Sequence, residues 1–160
     1  MNIPKALFLS LIFLSACSPV KPVSDTGITS GITEKDSLNS YSGCFFRTEG
    51  IASQDTFWVY LTVKRSEASG RLLSFPKEKD SRRGTFSGSI HQNIIKAKWF
   101  FLQEGQSDSL PVEFLFIHNR LFQKPYSVNA GTGEQYISGV SGFTLEYRPV
   151  NCDKLPLRDL

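Results

Sequence analysis

Apolar and polar residues alternate with a period of two along most of the chain from Tyr41 onward. That is the spacing of a half-buried β-strand, not the 3.6 of a helix. Phe57, Val59, Leu61 and Val63 share one face of a segment whose other face carries Thr56, Trp58, Tyr60 and Thr62. Phe86, Gly88 and Ile90 alternate with Thr85, Ser87 and Ser89; past Gln92-Asn93, Ile95, Ala97, Trp99 and Phe101 alternate with Lys96 and Lys98. The period runs through the dipeptide unbroken, which predicts a hairpin. Val112, Phe114 and Phe116 oppose Glu113, Leu115 and Ile117, so this strand is apolar on nearly both faces. Segments 42–48, 71–75, 120–123 and 143–148 bring the predicted strands to eight, with turns at Ser69-Gly70 and His118-Asn119 and loops over 76–82, 103–109 and 124–142. No segment carries a helical stripe.

The first forty residues follow different rules. Lys5 gives a positive start, and Ala6 to Leu14 is a run of nine residues without a charge. As a helix it rises about 1.5 Å per residue, too short for a bilayer core of roughly 30 Å, so it reads as a signal-peptide segment. Leu14-Ser15-Ala16-Cys17 closes it with small residues before a cysteine. The tetrapeptide resembles the lipobox of bacterial lipoproteins. The resemblance implies removal of residues 1–16, a diacylglycerol thioether on the Cys17 sulfur, acylation of its freed amine, and a membrane anchor of two or three acyl chains, which holds stably where one is marginal. Ser18 stands where Asp would resemble an inner-membrane retention signal, so the implied address is the cell envelope, at the outer membrane. Residues 17–40 are rich in Ser, Thr, Pro, Gly and Lys without periodicity and read as a lipidated tether. A barrel domain over 41–153 and a tail over 154–160 complete the organisation.

The chain holds 18 Lys and Arg against 15 Asp and Glu, a formal charge of +3 that falls to +2 when Lys5 leaves. This balance argues against nucleic acid as a partner. Lys77, Lys79, Arg82 and Arg83 form the one basic cluster, and Glu78 and Asp80 interrupt it. With Cys17 taken by lipid, Cys44 and Cys152 remain in an oxidising compartment near the two ends of the domain, and a disulfide between them is expected. Eight short strands in sequence order favour an all-β, single antiparallel meander or up-and-down barrel, because closure removes unpaired edges. The cysteine bridge would then lock its seam. At this point the domain resembles a small lipocalin-like (calycin) barrel: Gly43-Cys44-Phe45 stands in place of that family's Gly-x-Trp, with Phe45 for Trp, and Arg148 in place of its arginine across the closed end. No ligand carries over.

Candidate chemistry is sparse. Gly139-Val140-Ser141-Gly142 falls short of a nucleophile elbow and lacks the strand-turn-helix that motif needs. Gly131-Thr132-Gly133 lacks the rest of a phosphate loop. His91 and His118 lack partners at metal-ligand spacing. The chain therefore reads as a non-enzyme with no catalytic residue, metal or cofactor. Trp58, Tyr60, Trp99, Phe114 and Phe116 exceed what one core face needs, and they are candidate binding residues together with Glu113, a carboxylate on an otherwise apolar face. Expected is a lipid-anchored binding barrel for a small apolar molecule or envelope component. The alternative is a protein-interaction or inhibitor module acting on an envelope protein through loops such as 76–83 or 124–142. An internal apolar cavity of about 300 Å³ or more favours the former. Cys17→Ala is expected to abolish incorporation of labelled palmitate in cells; a variant that still takes up the label would contradict the lipobox reading.

Overall fold

In the computed structural model, residues 40–156 are described, so the expected leader, Cys17 and most of the tether lie outside the described residues. The strands are β1 (Ser40–Glu49), β2 (Asp55–Lys64), β3 (Glu67–Phe75), β4 (Arg82–His91), β5 (Ile94–Gln103), β6 (Gln106–Ile117), β7 (Arg120–Gln123), β8 (Ser127–Val128), β9 (Gln135–Tyr136) and β10 (Leu145–Val150). Eight of them close into an antiparallel barrel in the order β1-β10-β7-β6-β5-β4-β3-β2, an arrangement consistent with a lipocalin-like fold. β8 and β9 pair as a separate ribbon within the β7–β10 connection, and one 3₁₀ turn, Cys152–Lys154, follows β10.

Antiparallel pairing sorts the connections onto two ends. Arg65-Ser66, Gln92-Asn93 and His118-Asn119 join strands at one end. His118 and Asn119 both have positive φ (49° and 57°), the type I′ geometry that matches strand twist. The opposite end carries the long connections 50–54, 76–81 and 124–144, with Glu104-Gly105 as its one tight turn. Three expectations are corrected here. Ser69 and Gly70 do not turn the chain; they lie inside β3, paired with Thr62 and Leu61. Glycine is needed at position 70 because a Cβ would run into the Tyr60 carbonyl oxygen and the Phe86 ring. Residues 103–109 are likewise not a loop. Glu104 and Gly105 reverse the chain at φ 50° and 77°, and the polar stretch after them is the exposed start of β6. The last barrel strand begins at Leu145, two residues later than the pattern suggests.

Alternation decides the core. Phe45, Val59, Leu61, Val63, Phe86, Ile95, Val112, Phe114, Leu121 and Tyr147 all point inward and are buried, filling the half of the barrel nearer the tight turns. Each such side chain contributes about 1.5–3 kcal/mol of burial free energy. The outer face has a smaller apolar set. Phe46 and Trp58 are cross-strand partners with ring centroids 4.3 Å apart, and Leu73, paired with Trp58, is fully buried. Arg148 departs from the lipocalin resemblance: it points outward, with its side chain 80% exposed, because its place in β10 alternates with inward Tyr147.

Closure rests on few contacts. β1 and β2 register over ten residue pairs, whereas β1 and β10 register over three: Cys44↔Val150, Phe45↔Pro149 and Phe46↔Arg148. A disulfide reinforces this short seam, joining Cys44 to Cys152 across a Cα separation of 5.2 Å. It closes a loop of 108 residues, which on the chain-entropy model removes up to about 4–5 kcal/mol from the unfolded ensemble. Cys44→Ser is expected to lower folding stability by about 2–5 kcal/mol in urea unfolding; a midpoint unchanged from the parent would show that the seam holds without its staple.

Candidate functional site

The barrel is filled at one end and hollow at the other. Where β7 stops at Gln123 and β10 starts at Leu145, the wall ends early, while the β5–β6 hairpin runs on to Gln103 and Gln106. The gap leaves a cavity of about 790 Å³ under the long connections, bordered on the short side by Pro125, Tyr126 and Gln135 of the β7–β10 connection. Its inner wall is the same inward alternation carried one layer further: Arg47 follows Phe45, Phe57 precedes Val59, and Trp99 follows Ala97.

Arg47 is the least expected of these residues. Its side chain is only 8% exposed, and its Nη1 donates to the Glu49 carboxylate, two residues on along the same strand face. The guanidinium lies 3.8 Å from the centroid of the Phe57 ring and 5.0 Å from that of Tyr147. A buried guanidinium is costly without such partners, and aromatic faces together with a carboxylate offset that cost. Tyr147 in turn donates its hydroxyl proton to Gln123 Oε1 at 2.7 Å, deep in the barrel. Arg82 sits across the cavity. Its Nε donates to Gln103 Oε1 (2.7 Å) and its Nη1 to Gln135 Oε1 (2.6 Å), tying the β8–β9 ribbon to the barrel wall, and its guanidinium lies 5.0 Å from the Phe101 centroid.

Three buried donors in this lining have no hydrogen-bond partner among the described residues: Arg47 Nε, Trp99 Nε1 and Tyr126 Oη. Burial raises the Tyr126 phenol far above its ordinary value, with Tyr147 adding to the rise and Arg82 opposing it. Tyr147 is also raised, by burial first. Both therefore stay protonated and act as donors at neutral pH. Three of the four acidic residues of the rim are otherwise engaged. Glu49 holds Arg47, Asp55 Oδ1 accepts the Lys77 backbone N–H (2.8 Å), and Asp80 Oδ2 accepts from Gln103 Nε2 (3.2 Å).

Of the six residues singled out from sequence, Trp99 alone lines this cavity. Phe114 and Phe116 point inward but belong to the filled half. Trp58 and Tyr60 face outward, Tyr60 accepting a hydrogen bond from the Ser42 hydroxyl that lowers its phenol pKa. Glu113 faces outward as well and pairs with Lys124 Nζ at 2.9 Å, the partner that a half-buried carboxylate on an apolar face requires. Sequence reasoning did not place Arg47, Arg82, Gln123 or Tyr126 in a site, although Arg82 entered it as a member of the basic cluster over 77–83. The first three sit in phase with the apolar positions of their strands, and a polar residue in an apolar register was the available signal. Tyr126 lies in the connection, outside any periodic pattern. Among the described residues no group of three His, Cys, Asp or Glu could hold a metal ion. Comparison with protein-family models, with curated proteins and with solved structures returns no significant match.

The raised tyrosines give a pH dependence. Unfolded tyrosine ionises near pH 10 while the buried phenols do not, so stability is full below about pH 10 and is lost as the pH rises above it toward the folded values. Tyr126→Phe is expected to leave stability at pH 7 unchanged or higher, since it removes an unpartnered hydroxyl, and to make the loss above pH 10 shallower by about 1.4 kcal/mol per pH unit. Urea midpoints measured from pH 7 to 11.5 check this; an alkaline slope identical to the parent's would contradict it.

Proposed function

We propose that this chain is a lipid-anchored binding protein of the cell envelope that takes one small molecule into the open end of its barrel. The single observation behind this reading is the cavity of about 790 Å³, within the range of small-molecule pockets and above the volume that separates a binding barrel from a filled one. A module that acts on another protein through its loops needs no such interior. Phe57, Leu72, Trp99 and Leu145 offer the ligand apolar contact, and the guanidiniums and amides beside them fix its orientation. The ligand is thus part apolar and part polar, not uniformly apolar. Cys17 carries the anchor, in keeping with the lipobox pattern around it, and residues 17–40 give the domain reach from the outer membrane.

Ser74 points into the cavity from β3 near its mouth. Ser74→Trp is expected to fill that space, whereas Thr62→Trp, on the outer face of β2, leaves it open. Native mass spectrometry of the protein purified from its own envelope is expected to show a non-protein mass at one per chain, retained in Thr62→Trp and lost in Ser74→Trp. The same adduct on Ser74→Trp, or none on any of the three, would overturn the reading.

A further inference from the structure

The cavity is lined by four carboxylates (Glu49, Asp55, Glu78, Asp80) and four cationic side chains (Arg47, Lys77, Lys79, Arg82), but its buried lining is rich in donors, and this sets the ligand's chemistry. Arg47, Trp99 and Tyr126 all line this one cavity, and each carries a buried donor with no partner among the described residues. Arg47 and Trp99 are themselves more than nine-tenths buried. Gln123, its Oε1 taken by Tyr147, also lines the cavity. Arg82 brings a second guanidinium, and its hydrogen bonds go to glutamine oxygens. The residues are also linked to one another. Arg47 stacks on Tyr147, Tyr126 lies within electrostatic range of both Tyr147 and Arg82, and Arg82 stacks on Phe101, whose ring lies 4.5 Å from that of Trp99. Buried donors without acceptors carry a standing cost, and a ligand that supplies the acceptor recovers it. Two guanidiniums in a low-dielectric interior favour that acceptor being an anion.

We propose that the cavity binds an oxyanion, a carboxylate or phosphate ester carried on a small apolar frame, with the charged oxygens held by Arg47, Trp99, Tyr126 and Arg82 and the frame lying against Phe57 and Leu72. This rests on the small-molecule reading above and deepens it. An apolar body without the anion leaves the donors unpaired; a cation at those donors lies beside two guanidiniums.

The test is isothermal titration of the whole chain in phospholipid nanodiscs, with protein-free discs as the blank, against four probes that share one ring system: 2-naphthoate, 2-naphthyl phosphate, 2-naphthalenemethanol and 2-naphthylmethylammonium. At least one of the two anions is expected to bind about tenfold or more tighter than the alcohol, with the ammonium weakest, and the tighter anion identifies the headgroup. Trp99→Phe and Tyr126→Phe keep an aromatic ring and remove only the donor. Each is expected to weaken the anion severalfold and leave the alcohol unchanged, a split that a purely structural role would not produce. If the alcohol or the ammonium binds as tightly as both anions, the oxyanion proposal is overturned while the small-molecule reading stands. If none of the four binds the parent protein, both are overturned together.

Discussion

The structure depends on how a long meander is brought back to its first strand. β2 through β6 are long and register with one another over eight to ten pairs, but the circuit closes through β7 and β10, which register with each other over three. Short strands cannot supply a full wall, and two consequences follow. The seam between β10 and β1 takes a disulfide where hydrogen bonds are few. On the same side of the barrel, β7 and β10 stop short of the open end, so the β7–β10 connection borders the cavity where the other strands run on.

Proline placement fits this division. Pro111 lies in β6 before the stretch that pairs with β7, so the edge it presents there has no ladder partner to receive an N–H. Pro149 in β10 lies past the last pair with β7 for the same reason. The interior is graded along the barrel axis. Apolar side chains meet at the tight-turn end, and guanidiniums, amides and phenols meet at the other. A ligand that orients itself along that axis, apolar frame against Phe57 and Leu72 and polar group at the donors, would satisfy both.

Much of the fold is legible in the residues themselves. The alternation over Phe57–Val63 and Ile95–Phe101 places every inward residue correctly because burial on one face is what selects the period. The cysteines were legible because only two remain once Cys17 is set aside. Gly70 misled because glycine marks a turn and a close approach equally well in sequence, and only the packing of Phe86 distinguishes them. The site was harder to see. Aromatic residues drew attention by size, yet Trp58 and Tyr60 fall on the outer face, and the residues that define the cavity are polar side chains in inward register. Arg47 is the clearest case: it follows Phe45 by two, so the strand period alone sends a guanidinium into the barrel.

The claim that this interior is a binding site for an acceptor-bearing molecule is most directly tested by a crystal structure of the protein purified from its native envelope without refolding. The expected result is density for a non-protein group in the cavity, with oxygen atoms within about 3 Å of Trp99 Nε1 and Arg47 Nε. A cavity collapsed onto its own side chains, with those two donors turned to protein carbonyls, would contradict it.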